Sequence, residues 1–190
     1  MAHDAQRVFV NAVKSAYPDH FTNTRVVEMG SLDINGTVRD FFTDPIWYVG
    51  IDVGPGPGVD VVANGKDYDH DGDYFDVAIS AECFEHNPDW RETFLNMKRL
   101  VKPGGLVIFT CAGKDRPEHG TSRSDVGSSP LTVEIGWEYY RNLEASDFHE
   151  HDLVGLDYQF YYEPYAKDLY FVGRKDAPLN EIERGEHWQL

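Results

Sequence analysis

The chain has 190 residues, 41% hydrophobic and 26% charged, an ordinary globular balance that excludes a disordered protein and predicts one domain with a sizeable core. Seventeen basic residues stand against 33 acidic ones, a formal net charge of −16 spread along the chain, and that field repels polyanions, so no nucleic-acid partner is expected. Cys83 and Cys111, 28 residues apart, make neither a disulfide framework nor a metal spacing; Met1 to Arg7 lack the basic start and apolar core of a signal peptide, and no apolar run is long enough to span a membrane, so a cytoplasmic protein without a membrane partner is expected.

Residues 4–16 place Val8, Ala12 and Val13 at helical spacing before Pro18 ends the pattern, which predicts an amphipathic helix over one edge of a sheet. Residues 25–29 predict a buried strand that runs into a turn containing Glu28, Gly30, Ser31, Leu32, Ile34 and Gly36. Residues 37–42 are too short for a helix, and 48–52 predict a second strand ending on Asp52, 16 residues after Gly36. In a parallel sheet the carboxyl ends of adjacent strands lie side by side, so the glycine turn and Asp52 flank one crevice. Glycine lets a ligand approach the backbone, and a carboxylate accepts two hydrogen bonds from a ribose diol; the pairing implies a nucleotide-like ligand.

Pro55 and Pro57 stiffen a loop between Gly54 and Gly58, and two further strands follow at 59–63 and 75–80. The best helix has Asn87 as its N-cap, Pro88 at its first position and Asp89 in its first turn, with Trp90, Phe94, Met97 and Val101 on one face. Lys102, Pro103, Gly104 and Gly105 stop it, and 106–111 is the fifth strand. Residues 114–130 form a long loop, 134–143 with Trp137, Tyr139 and Tyr140 read as helical, and Ser146 to Phe148 start another helix. Strands at 158–162 and 169–172 make an antiparallel hairpin, and the polar chain from Lys175 is expected to be loose. The whole is an α/β fold: a doubly wound, mostly parallel seven-stranded sheet with a C-terminal antiparallel hairpin. One domain covers 1–175, with 114–145 as an insertion or lid and 176–190 as a tail.

This ordered set of strand-end residues resembles the class I S-adenosylmethionine-dependent methyltransferases, most closely the small single-domain group with a Glu-His pair, here Glu85 and His86, and a stop like that at 102–105. The resemblance covers about residues 26–111. It implies a Rossmann-like methyltransferase fold with S-adenosylmethionine as cofactor and S-adenosylhomocysteine as product. Glu28 and Gly30 match the acid and first glycine of the turn around the cofactor's amino acid end, with Ser31 and Leu32 following. Asp52 matches the acid on the ribose hydroxyls, and Val53 the residue against adenine. Asn64, Gly65 and Lys66 match the adenine edge, where Asp is usual; Ser80, Ala81 and Glu82 stand where cofactor and acceptor meet. Leu32 and Ile34 replace the family's later glycines and leave less room. A nicotinamide-binding oxidoreductase also needs glycines and then an acid, but its glycine spacing is absent. A binding or scaffold protein of the same fold, without activity, is the other alternative.

Methyl transfer from a sulfonium needs alignment and desolvation, and a base when the nucleophile is a hydroxyl. His86 and His119 are the catalytic candidates, each weighed against a structural or solvated histidine. Glu82, Tyr139, Tyr140 and Arg141 are candidates for acceptor binding. The motifs of nucleobase methylation are absent, which with the negative charge points to a small-molecule or glycan acceptor methylated at a hydroxyl oxygen. Asp67, Asp69, Asp71 and Gly72 imitate the first half of a calcium loop, but its twelfth position is Ala78. His149, Glu150 and His151 lack a further spaced ligand, so no metal is expected. Oligomeric state is left open.

Overall fold

Runs of β-branched and aromatic residues become one seven-stranded sheet in a computed structural model that describes residues 4–189; the start of the leader reading, Met1 to His3, and the end of the tail, Leu190, lie outside the described residues. The strands are β1 (Arg25–Met29), β2 (Trp47–Asp52), β3 (Val61–Val62), β4 (Phe75–Ala81), β5 (Val101–Ala112), β6 (Leu156–Glu163) and β7 (Asp168–Lys175). Their order is β3-β2-β1-β4-β5-β7-β6. The first five are parallel, and β7 runs antiparallel to both β5 and β6. The doubly wound sheet and its C-terminal hairpin are those expected.

Every residue of β4 is buried, as a strand covered on both faces requires, and its two polar side chains are bonded: Asp76 accepts the Arg25 N–H and Ser80 Oγ donates to the Met29 carbonyl. One face packs Val27, Met29, Phe94, Phe109 and Phe171 beneath helix α2 (Trp90–Leu100); the other packs Val26, Val77 and Tyr170 beneath α1 (Asp4–Ala16). The lower face of α1 is Gln6, Phe9, Val10 and Val13, while the expected Val8 is 56% exposed, because the helix is rotated to bring Phe9 into ring contact with Tyr170. Asn87 does cap the turn before α2, its Oδ1 accepting the Asp89 N–H at 2.8 Å, but the regular helix starts at Trp90.

Four further expectations are corrected. β3 keeps only two of the five residues expected of it, since only Ile51 and Asp52 remain to pair with it. Val101 opens β5 opposite Phe75 instead of closing α2, and the register slip before Val77 absorbs the Gly104–Gly105 stretch within the strand. Residues 135–143 are not helical; the helix there is α3 (Pro130–Glu134), where Pro130 suits a first turn and Gly136, at φ +80°, ends it. The chain after Lys175 is packed: Ile182 is buried, the Trp188 ring meets Phe9, Tyr161 and Tyr170, and Gln189 pairs with Tyr162. Helix α4 (Glu150–Leu153) follows the start expected near 146–148. The calcium-like segment is spent elsewhere: Asp73 pairs with Lys175 at 2.6 Å, and Ala78 lies inside β4. No described helix is long and apolar enough to cross a membrane.

Phe109 is fully buried, stacked on Phe148 and Phe171 with centroids 5.0 and 4.9 Å away. Phe109→Ala is expected to lower the unfolding free energy by about 3–5 kcal/mol, read as a fall in the urea midpoint at constant slope.

Candidate functional site

The strands β1, β2 and β4 end together, and the loops leaving them enclose a crevice. Gly30 leaves β1 at φ +79°, and a Cβ there would stand 2.4 Å from the Cβ of Cys83, so glycine is required by the turn and by the loop after β4 alike. The turn is pinned by Asp52, whose Oδ2 accepts the Leu32 N–H at 3.0 Å and whose Oδ1 accepts the Val53 N–H at 2.8 Å. The carboxylate keeps lone pairs for a ligand. Burial raises its pKa above the ordinary value, against the pull of those two N–H groups.

The stiff loop after β2 seats two leucines. A Cβ on Gly56 would lie 2.3 Å from Leu32 Cδ1, and one on Gly54 2.8 Å from Leu131 Cδ2. Leu32, which departs from the expected glycine, is therefore held against Gly56 at the wall of the crevice. Asp52, Val53, Asn64 and Gly65 line the inner side, and residues 128–132 with Trp137 line the outer side. Trp137 was expected near the acceptor side; residues 128–132 were not singled out in sequence, and Pro130 at the start of α3 was the available signal.

Five expected cofactor residues are not on the lining of the crevice. Glu28 accepts a 2.8 Å hydrogen bond from Tyr48 Oη on the α1 side of the sheet, and Ser31 is buried under the turn. Ser80 Oγ donates to the Met29 carbonyl at 2.8 Å, tying β4 to β1, and Ala81 belongs to the core. Lys66 pairs with Asp89 at 2.9 Å, and Asn64 Nδ2 donates to the same carboxylate at 2.8 Å.

A second cavity opens beside the first, lined by Glu82, His86, Arg116 and His119; Glu82 and His86 line both. Glu82 holds φ +53°, a left-handed conformation costly for a residue with a Cβ, and a single 3₁₀ turn, Phe84–His86, follows it. Burial, then the charges of Glu85 and Asp168, hold the Glu82 carboxyl well above the usual range. Burial likewise lowers His86 to about 4, against the opposing pull of Glu85. The rings of His86 and His119 stand 5.0 Å apart, and that of Tyr140 is 5.5 and 5.1 Å from them. Tyr140 Oη donates to the Pro117 carbonyl. Tyr139 packs on the core and Arg141 pairs with Asp147, so neither lines a cavity. Arg116, which sequence reasoning passed over as one charge in a polar loop, bonds Asp168 at 2.5 Å and approaches Glu82 at 4.0 Å.

The model of the methyltransferase-domain family matches residues 1–144. Over 47 residues, 25% of this chain, the sequence is 36% identical to phosphoethanolamine N-methyltransferase 2 of Caenorhabditis elegans, and the match spans 11% of that relative. An S-adenosylmethionine-dependent methyltransferase from Mesorhizobium loti superposes with a TM-score of 0.57 at 14% identity, over 87% of this chain and 96% of that one. Phosphoethanolamine N-methyltransferase 2 of Haemonchus contortus, in complex with S-adenosyl-L-methionine, superposes with a TM-score of 0.60 at 16% identity, over 90% and 53%. At these identities the likeness of the structures is one of fold.

Glu28, buried and desolvated, has its pKa pushed up to about 7, with Tyr48 and Arg39 pulling it down and Asp52 up. Between the ordinary carboxylate value near 4.5 and 7 the folded chain holds a proton that the unfolded chain has released. Stability from this group is therefore lost as pH rises through that window, by about 3 kcal/mol in all. Glu28→Gln is expected to gain stability relative to the parent at pH 8 and not at pH 4.5; equal differences at both pH values in urea unfolding would contradict this.

Proposed function

The chain belongs to the methyltransferase-domain family of class I S-adenosylmethionine-dependent methyltransferases, and on that premise we propose that it methylates a hydroxyl oxygen of a small molecule or glycan. The observation that carries the reading is the meeting of two cavities at Glu82 and His86: one bears the pinned turn and Asp52, the other two imidazoles. The residues present fit the cofactor. Asp52 has lone pairs left for a ribose diol, and Val53 and Gly65 offer an apolar wall for a flat base beside Asn64. Gly30 and Leu32 form the turn for its amino acid end. Glu28, Ser31, Ser80 and Ala81 act from behind by holding the strand ends in place, and Lys66 ties the loop after β3 to Asp89 before α2.

S-adenosylmethionine, when bound, would supply an activated methyl on a sulfonium, with a neutral thioether as the leaving group. The chain's own residues do the rest. Leu32, Leu131 and Trp137 exclude water, with 114–145 acting as the lid. Glu82 orients the acceptor, with the Tyr140 ring behind the two imidazoles, and the hydroxyl proton leaves through the cavity that holds His86 and His119. Tyr139 and Arg141 serve the acceptor side indirectly, by bracing the segment that carries Tyr140. The net charge of −16 favours a small or uncharged acceptor over a nucleic acid. A nitrogen acceptor is the second reading, favoured by the N-methyltransferase named among the relatives.

Calorimetry with S-adenosylhomocysteine is expected to give saturable binding that Asp52→Ala weakens at least about tenfold, or ~1.4 kcal/mol. Absence of binding at millimolar ligand, or preferential binding of NAD, would overturn the reading. In an acceptor screen scored by S-adenosylhomocysteine formation, His86→Ala and His119→Ala are each expected to lower kcat about 100-fold with S-adenosylhomocysteine affinity unchanged. Turnover of amines but not alcohols would select the nitrogen reading.

A further inference from the structure

The segment after β4 buries Glu82, just before a single 3₁₀ turn, and Glu85 and His86 within it, and the Glu82 and Glu85 carboxylates are close enough to repel each other. Glu85 is fully buried and neither of its oxygens has a hydrogen-bond partner; Nδ1 of the buried His86 and Oε1 of Glu82 are in the same condition. Buried carboxylates in native structures are almost always bonded, and a cluster left in this state calls for a partner, water or ion, that the protein atoms do not supply.

His119 reaches the same point from the long loop. Its Nδ1 lies 3.1 Å from the Pro117 carbonyl, which only accepts, so Nδ1 carries the proton and, in the neutral ring, Nε2 keeps a lone pair. That lone pair faces Glu85 Oε1 at 3.9 Å, and Nε2 of His86 faces the same oxygen, also at 3.9 Å. One ligand atom from each of the three residues falls within 4.8 Å of the others. Three donors turned toward one another need a positive centre between them. The carbonyl bond that fixes the His119 ring is the kind of outer contact that orients a metal-bound imidazole. Gly120 makes the approach possible: it sits at φ +64°, and a Cβ there would stand 2.5 Å from His86 Cε1. The surrounding charge agrees, because Glu82, Glu85 and Asp168 are all buried and Arg116 is the cation set among them.

We infer that Glu85, His86 and His119 bind one first-row divalent cation at the junction of the two cavities. Two imidazoles and a carboxylate suit manganese, iron, cobalt or zinc better than calcium or magnesium, and three protein ligands leave positions open. The donors need to draw together by about 0.5–1 Å to reach ligand distances near 2.0–2.2 Å, a movement within the reach of His119 on its loop. The open positions face the acceptor cavity, where a hydroxyl oxygen completes the coordination and becomes more acidic; this last assignment rests on the methyl-transfer reading, and the binding of the cation does not.

The test is titration of the full chain, after dialysis against EDTA, with Co²⁺ alone, followed by visible absorption and calorimetry. The expected result is one equivalent bound with the spectrum of nitrogen and oxygen ligation, and far weaker binding of Mg²⁺. His119→Ala, on the loop, and Glu85→Gln are each expected to lower Co²⁺ affinity about 100-fold or more while the variants melt cooperatively. His151→Ala, which removes part of the surface pair His149–His151, is expected to change nothing. Absence of stoichiometric binding, binding indifferent to His119→Ala and Glu85→Gln, or binding lost with His151→Ala overturns the site. Calorimetry with S-adenosylhomocysteine on the EDTA-treated chain separates the two readings: failure to bind there with Co²⁺ bound removes the methyl-transfer reading and leaves the cation site standing.

Discussion

Parallel pairing of β1 between β2 and β4 is the constraint on which the rest of the molecule depends. Val27 stands opposite Val49 on one side and Ala78 on the other, and Met29 opposite Ile51 and Ser80. A slip of one residue would exchange Val27 and Met29 with Val26 and Glu28 across the two faces of the sheet, taking the buried Glu28 carboxylate away from its Tyr48 partner. With the register so determined, Gly30, Asp52 and Glu82 leave three neighbouring strands at one edge. The backbone ladder extends past the strands as Gly30 and Ser31 both donate to the Ile51 carbonyl, and Ser80 Oγ closes on Met29. The crevice is thus built from strand ends that cannot move apart without breaking the core.

The same edge gathers negative charge. Glu82, Glu85 and Asp168 come from β4's exit and the start of β7, and Arg116 from the long loop reaches in among them. Desolvating carboxylates lowers stability unless each finds a partner, and the left-handed backbone at Glu82 adds strain at the same place. Strain and desolvated charge of this kind cluster at functional sites. The loop of residues 114–144 brings His119, residues 128–132 and Trp137 to the open side of the edge, so the two cavities share Glu82 and His86 as a common wall.

Much of the fold was legible because strands buried on both faces are written as apolar runs, and β1, β2, β4, β5 and the hairpin were read to within a few residues. The misreadings share a cause. Val8 looks like core by spacing alone, but the bulk of Phe9 turns α1 by contact with Tyr170. Val101 continues a helical stripe in sequence and is taken by β5 because Phe75 offers a paired edge. The tail is polar in composition, yet Ile182 and Trp188 are enough to pack it on α1 and the hairpin. Leu32 looked too large for its turn; Gly56, 24 residues away, makes its seat.

From the amino acids alone came the alternation of strand and helix, the glycine turn facing Asp52, and the resemblance to the methyltransferase family that the match over residues 1–144 bears out. These depend on local propensity and on periodicity, which act over a few residues and so are visible in one dimension. What tertiary structure alone decided is which polar groups meet. Glu28 and Ser80 bond behind the crevice and Lys66 pairs with Asp89 off its lining, whereas Glu85, His86 and His119 converged from segments 33 residues apart. Contact between side chains is a property of distances across the sheet edge, and no local rule of sequence carries it.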